Sequence, residues 1–272
     1  MIQQYNSFLT VFPMAGNDFL RKKESFSAPA VVFSAKEGYL GAVQYFRKKE
    51  LTMPREHLMV CETFKSIQGE STHAGRPCFF IRLAGCNLRC SYCDTLWAQD
   101  GAQGISLSVD DLCLQVEQAA LKVVEITGGE PMLQKEAVCL LAEKLIARGH
   151  IVMMETNGSV DLSMLPEQVI RVIDWKTPSS GEQGKMYEEN FRSLRPHDEV
   201  KFVCSDERDY LFALEKIRTF KMDSQTENLL VSPVYGALNC ADLVSWILRD
   251  QAPVRVNLQI HKYIWDPQKR GV

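Results

Sequence analysis

The sequence predicts an α/β fold, an incomplete (β/α) barrel of about six mostly parallel strands. Three observations predict it. From about residue 60 onward, short apolar or β-branched runs alternate with segments of helical periodicity, the pattern of parallel βαβ units. The residues with the most chemistry follow the strand signals, and in complete barrels active sites lie at the C-terminal ends of the strands. Hydrophobic residues make up 46% of the 272 residues, enough for a sizeable core in one or two domains.

Cys78 to Leu83 reads as a buried strand. Ser108-Val109-Asp110-Asp111 is a capping-box-like helix start. Its helix carries Leu112, Val116 and Ala119 on one face. The β-branched run Val123-Val124-Glu125-Ile126 is the next strand. A helix from Gln134 to Arg148 follows, with Val138, Leu141 and Leu145 inward and Gly149 as its cap. Ile151 to Met154 and Val169 to Asp174 are strands, as is Glu199 to Val203. A helix from Arg208 to Phe220 and a strand from Asn228 to Val231 continue the alternation. In the last expected strand Val254, Val256, Leu258 and Ile260 alternate with Arg255, Asn257, Gln259 and His261. Period two gives one apolar and one polar face, the latter either solvated or the wall of a polar pocket.

The first 52 residues differ from the rest. They hold seven Lys/Arg against four Asp/Glu, net +3, while the remaining 220 hold 24 against 30, net −6. Pro13, Gly16, Asn17 and Asp18 interrupt their apolar residues, which argues against a signal peptide. They read as a poorly structured or misassigned extension, with Met53 as an alternative start and 53–272 as the catalytic domain. The overall charge of −3 offers no basic footprint for nucleic acid. No apolar run approaches the ~20 residues of a membrane span. Nine cysteines without a secretory signal indicate a reducing compartment, the cytoplasm.

Three of those cysteines, Cys86, Cys90 and Cys93, fall at C-x3-C-x2-C spacing. Three thiolates holding an iron–sulfur cluster leave one iron open to a non-protein ligand. A zinc knuckle or buried thiols are the plainer readings, but zinc needs a fourth ligand and no second Cys/His pair is evident. Cys61, Cys78, Cys113, Cys139, Cys204 and Cys240 are scattered and read mostly as small core residues.

Gly85 to Cys93, with Thr127-Gly128-Gly129-Glu130-Pro131, resembles the signature of radical S-adenosylmethionine enzymes. Phe64 to Ser71, Gly75-Arg76-Pro77, Arg82-Leu83, Cys93-Asp94-Thr95 and Glu155-Thr156-Asn157-Gly158 narrow it. Together they resemble the 7-carboxy-7-deazaguanine synthase family over residues 60–272. The resemblance implies a barrel of the radical S-adenosylmethionine type. The implied activity turns 6-carboxy-5,6,7,8-tetrahydropterin into 7-carboxy-7-deazaguanine with release of ammonia, in queuosine and 7-deazapurine biosynthesis.

The resemblance also implies roles. Cys86, Cys90 and Cys93 ligate a [4Fe-4S] cluster, and Thr95 ligates Mg2+, or else is only a helix cap. Tyr92, Cys93, Asp94 and Gly129 border S-adenosylmethionine. Lys176, with Asp174 and Pro178, and Ser232, with Pro233, are weaker carry-overs to the same cofactor. Ile67, Gln68, Gly69, Arg82 and Thr127 contact the pterin. The plainer role for Arg82 is a salt bridge, though a charge in an apolar strand needs a partner. Implied partners are the pterin and a one-electron reductant such as a flavodoxin or ferredoxin, with a homodimer left open. A glycyl-radical-activating enzyme, acting on a protein through the same cysteine spacing, is the alternative.

Overall fold

The computed structural model describes residues 56–272. The expectation for residues 1–52 lies outside the described residues. The chain runs β1 (His57–Ile67), β2 (Pro77–Leu83), β3 (Ile105–Ser108), α1 (Val109–Ala119), β4 (Val123–Gly128), α2 (Lys135–Ala147), β5 (Ile151–Thr156), β6 (Ile170–Asp174), α3 (Glu189–Arg192), β7 (Glu199–Cys204), α4 (Glu207–Phe220), β8 (Leu229–Pro233), α5 (Cys240–Asp250), β9 (Arg255–Val256) and α6 (His261–Ile264). One sheet holds these strands in the order β3-β1-β2-β4-β5-β6-β7-β8-β9. Every pairing from β2 to β9 is parallel. β1 joins β2 and β3 antiparallel. β3 and β9 are the two edges, so the barrel is open.

The helices begin where short polar side chains satisfy orphaned N–H groups. Ser108 accepts from Asp111 N at 3.0 Å ahead of α1, and Asp206 accepts from Asp209 N at 3.0 Å ahead of α4. Asn239 caps α5 in the same way through Ala241 N at 2.9 Å. Gly149, at φ +80°, closes the turn after α2 in the left-handed region that glycine tolerates. Leu112, Val116 and Ala119 of α1, and Val138, Leu141 and Leu145 of α2, are buried as their spacing requires.

Alternation along the strands sorts their side chains into two sets. Phe79, Ile81, Val124, Ile126, Val152, Met154, Ile173, Val200 and Phe202 join the helices in the main core. Cys78, Phe80, Val123, Met153 and Val172 form a separate small cluster, with Phe64, Ile151 and Ile170 against it. Phe64 stacks on Phe80 with ring centroids 4.8 Å apart. Such a pair adds about 0.5–1.5 kcal/mol beyond its area burial. The next residues on this second face, two further along each strand, are Arg82, Glu125, Glu155 and Asp174, all facing one cavity. The barrel interior is therefore apolar toward the strands' N-terminal ends and charged toward their C-terminal ends.

Two differences from the sequence reading stand out. β1 and β3 give no clear strand signal. β1 mixes Glu62, Thr63, Lys65 and Ser66 into its apolar residues, and β3 is short, with Ile105 exposed. The expected long final strand is corrected as well. Only Arg255–Val256 pairs, and the chain then turns into α6. Of its polar residues Arg255 is exposed, but Asn257 is 4% exposed and bonds to Ser71 N at 2.9 Å and Ser232 Oγ at 2.8 Å. Asn257 N still bonds to Val231 O at 2.9 Å, and beyond it Ile260 N bonds to Gly69 O at 2.9 Å, so the chain leaves β8 for the loop after β1.

Candidate active site

A cavity of about 860 Å³ opens at the C-terminal ends of the parallel strands. That is the end at which barrel enzymes place their chemistry, and the volume lies in the range of small-molecule sites. Of the residues expected to bind substrate, cofactor or metal, Ile67, Gln68, Gly69, Arg82, Cys86, Cys90, Tyr92, Cys93, Asp94, Thr95, Thr127, Gly129, Lys176 and Ser232 line it. Asp174 and Pro233 line it too, but Pro178 does not. Pro178 instead opens a short 3-10 turn, Pro178–Ser180, where its fixed φ suits the first helical position.

The cysteines lie in the loop after β2. Arg89 N donates to Glu182 Oε1 at 2.7 Å and Ser91 N to Ser180 O at 3.1 Å, so the segment after β6 anchors this loop. All three thiols are free and half-buried. Burial pushes the Cys90 thiol up, and the Lys176 ammonium opposes it. The Cys86 sulfur accepts from Leu88 N at 3.4 Å and Asn157 Nδ2 at 3.7 Å. Among the described residues no three His, Cys, Asp or Glu side chains close on a single metal ion. The thiols instead share one cavity wall, a donor set for a cluster that brings its own sulfides.

The glycine-rich loop after β4 owes its form to backbone crowding. Gly128 has φ +139°, and a Cβ there would sit 2.2 Å from Leu83 O. A Cβ on Gly129 would sit 2.1 Å from Gly85 O. Neither position admits a side chain, so Gly129 meets the cavity as bare backbone. Glu130 is fully buried and points away from the cavity. It accepts from Asn157 N at 2.7 Å and Thr156 Oγ1 at 2.9 Å. It thereby ties the end of β4 to the end of β5, and Asn157 extends the tie to the cysteine loop.

The residues expected to meet the pterin line the same cavity. Gln68 is 2% exposed, donates Nε2 to Glu125 and accepts from Glu70 N at 3.0 Å. The His261 ring packs so closely on Gly69 that a Cβ there would lie 2.1 Å from Nδ1. Thr127 Oγ1 donates to Glu155 Oε2 at 3.2 Å. Arg82 does make the salt bridge considered for it, Nε to Glu62 Oε1 at 3.0 Å. Its guanidinium lies 5.5 Å from the Trp97 ring centroid and 5.8 Å from that of Phe64. Glu62 engages only Nε, which leaves the terminal nitrogens on the cavity side.

On the cofactor side, Tyr92 Oη lies 3.4 Å from both Thr177 Oγ1 and Val203 O, and burial pushes its phenol up to about 12. Burial also works against the Asp94 carboxylate, but Lys262 Nζ at 2.8 Å outweighs it and holds the carboxyl down at about 2. Lys176 donates to Asp174 Oδ2 at 2.5 Å and stays charged, because that carboxylate overcomes burial. Thr95 occupies a helix-cap position, yet its hydroxyl makes no capping bond and lies 3.8 Å from Cys93 Sγ. Ser232 Oγ is buried and accepts from Asn257.

The sequence reading did not assign Glu70, Glu125, Glu155, Lys201, Gln259, His261 or Lys262 to the site, yet all line the cavity. A signal existed for five of them, since Gln259 and His261 belong to the polar face read as solvated or as a pocket wall. Glu125 and Glu155 are lone charges in otherwise apolar strands, and Lys201 alternates with apolar residues in its own, so each marks a polar face. Glu125 is 1% exposed with no cation bonded to it, and burial, then the nearby Glu155, raise its carboxyl well above the usual range. Burial likewise works against the Glu70 carboxylate, but Lys201 overrides it and holds it low.

The profile of the Radical SAM superfamily matches residues 80–174, from β2 through β6. The 7-carboxy-7-deazaguanine synthase of Koribacter versatilis is 40% identical over 228 residues, covering 79% of this chain and 100% of that protein. The protein of the same name from Chlorobaculum tepidum is 40% identical over 218 residues, covering 79% of this chain and 97% of its own. That of Methanospirillum hungatei is 39% identical over 211 residues, covering 77% and 86%. Among solved structures, QueE from Escherichia coli shares the fold with a TM-score of 0.60 at 20% identity, covering 74% of this chain and 93% of that one.

Proposed function

We propose a function from one premise: the chain belongs to the 7-carboxy-7-deazaguanine synthase family. It is a radical S-adenosylmethionine enzyme of 7-deazapurine biosynthesis, the queuosine route. The reaction assigned is conversion of 6-carboxy-5,6,7,8-tetrahydropterin to 7-carboxy-7-deazaguanine with release of ammonia. The observation that carries this reading is the meeting of three free thiols and a carboxylate-rich floor in one cavity.

The residues present fit the implied groups. Cys86, Cys90 and Cys93 would hold the cluster. Tyr92, Asp94, Gly129, Lys176 and Ser232 would border S-adenosylmethionine. When bound, cluster and S-adenosylmethionine supply the radical that starts the rearrangement. Ile67, Gln68, Gly69, Arg82 and Thr127 would hold the pterin. The terminal nitrogens of Arg82 suit its carboxylate, since a guanidinium offers paired donors. Trp97 and Phe64 restrict the guanidinium's direction and shield it from water.

Mg2+ at Thr95 is supported by a cavity-facing hydroxyl without a capping bond. One hydroxyl cannot complete an octahedral shell, so substrate oxygens and water would supply the rest. A flavodoxin or ferredoxin would deliver the electron, and the nine free cysteines suit a reducing cytoplasm. The homodimer stays part of the proposal. No helix among the described residues is long and apolar enough to cross a membrane. Residues 1–52 are proposed to be dispensable, so a chain starting at Met53 should match the full chain in thermal unfolding and product formation. A glycyl-radical-activating enzyme is not favoured, because the relatives bear the other name and the cavity has small-molecule size.

The deciding experiment incubates the reconstituted, reduced enzyme with S-adenosylmethionine and the carboxylated pterin. 7-Carboxy-7-deazaguanine, identified by mass, is the expected product. S-adenosylmethionine cleavage without any deazaguanine would refute the assignment.

A further inference from the structure

The floor of the cavity is held by one cation. Lys201, in the middle of β7, is 6% exposed. Its Nζ lies 2.8 Å from Glu70 Oε2, 3.0 Å from Glu155 Oε1 and 3.5 Å from Asp174 Oδ1. These carboxylates come from three separate places, the loop after β1, the end of β5 and the end of β6. Two of the ammonium's three N–H donors are bonded, to Glu70 and Glu155, and Asp174 Oδ1 stands beside it at ion-pair distance without a hydrogen bond of its own. Burial works against the ammonium, and Asp174, Glu155 and Glu70 together keep it charged.

Each carboxylate passes the connection onward through its second oxygen. Glu70 Oε1 accepts from Gln259 Nε2 at 2.7 Å, and Gln259 also reaches Asp94 at 3.2 Å. Glu155 Oε2 accepts from Thr127 Oγ1 at 3.2 Å. Asp174 Oδ2 accepts from Lys176 at 2.5 Å. The Glu70 backbone N–H donates to the side chain of Gln68. Two branches thus reach Asp94 and Lys176, and two others reach Gln68 and Thr127.

We infer that Lys201 is a positioning residue that acts through these carboxylates, holding the pterin-facing groups in register with the cofactor-facing groups. The inference rests on the functional reading above. Removing the ammonium would leave three carboxylates facing one another in a buried site, and mutual repulsion would spread them. A displacement of about 1 Å at such a site costs on the order of 10²-fold in rate.

The test compares Lys201→Met and Lys201→Arg with wild type as cluster-loaded holoenzymes. Pterin binding is measured calorimetrically with S-adenosylmethionine present and no reductant. Turnover is then read as 5′-deoxyadenosine formed per 7-carboxy-7-deazaguanine. We expect Lys201→Met to weaken pterin binding by at least about tenfold and to raise the ratio of 5′-deoxyadenosine to product, with iron content unchanged. Lys201→Arg should recover part of the binding but stay uncoupled, because a planar fork cannot reproduce a three-way ammonium contact. Wild-type affinity and coupling in Lys201→Met would overturn the inference. If Lys201→Met does not fold, wild-type affinity and coupling in Lys201→Arg would overturn it just as well. A wild-type enzyme that neither binds nor converts the pterin would instead refute the functional reading.

Discussion

At the N-terminal ends of β6 and β7, Arg171 and Asp198 form a closed pair, whereas toward the C-terminal ends Lys201 faces three carboxylates. Arg171 Nε donates to Asp198 Oδ1 at 3.0 Å, and one terminal nitrogen donates to Asp198 Oδ2 and to Ser193 O. Arg195 N adds a bond to Asp198 Oδ2 at 2.6 Å. Both side chains are almost fully buried, one cation to one anion, and neither lines the cavity. Around Lys201 the proportions differ. Glu70, Glu155 and Asp174 share Lys201 and Lys176, Glu125 has no cation bonded to it, and Arg82 keeps its terminal nitrogens free of Glu62. A closed pair stabilises the fold against its own removal. An unbalanced set stays polarised toward something that is not protein. The same strands carry both, so the difference lies in which end of the barrel a residue reaches.

The largest expected effect tests the open end. Cys86→Ala, Cys90→Ala or Cys93→Ala should each abolish S-adenosylmethionine cleavage, with iron and sulfide lost in parallel. Cys113→Ala and Cys139→Ala, buried in the main core, should keep cleavage and lose only some stability. Retained cleavage in Cys90→Ala would break the comparison outright.

The closed end should answer in stability alone. Asp198→Asn leaves the Arg171 guanidinium buried without its counter-charge, which costs about 3–5 kcal/mol. Chemical denaturation would read that loss, and the folded fraction should keep its product yield per cluster. A drop in the coupling of cofactor cleavage to product would show that the two ends are not independent.

Thr95→Ala should be milder still. Cluster content should match wild type, while most of the stimulation of product formation by added Mg2+ should disappear. Equal stimulation in both proteins would place the metal elsewhere.

The smallest effect concerns Glu125 and depends on pH. Burial raises its folded carboxyl well above 4.5, so it favours the protonated form. Below about pH 4.5 the group is protonated both folded and unfolded, and it does not penalise folding there. As pH rises through the folded value, the unfolded chain releases the proton more readily, and wild type loses stability. Glu125→Gln cannot lose a proton. Its stability relative to wild type should therefore grow from acid toward neutral pH, as read from denaturant midpoints across that range. A pH-independent difference would mean that Glu125 is ionised in the folded protein.

Much of the fold was legible because it is local. Ser108 and Gly149 mark helix ends through bonds or dihedrals within a few residues, and the buried strands β4, β5 and β7 announce themselves as mostly apolar runs. The site loops were legible for a different reason. Cys86, Cys90 and Cys93 lie close in sequence, and Gly128-Gly129 is a pair no other residue can replace against Leu83 and Gly85. β1, β3 and the true path of residues 257–259 were not legible, because half-exposed strands lack an apolar run and a tether such as Asn257–Ser71 spans most of the described chain.

By itself the sequence determined the parallel alternation, the helix termini, the thiol set and the strand ends from which the site is built. Each depends on side chains a few residues apart, where spacing and chemistry suffice. Only the tertiary structure decided that Glu70, Glu155 and Asp174 meet on Lys201. It likewise paired Arg82 with Glu62 and sent Glu130 away from the cavity toward Asn157. Charge in a buried site is set by which distant groups share its few ångströms, because desolvation makes each carboxylate depend on its neighbours. Those neighbours are assigned by sheet order and register, and neither is written in any one segment of the chain.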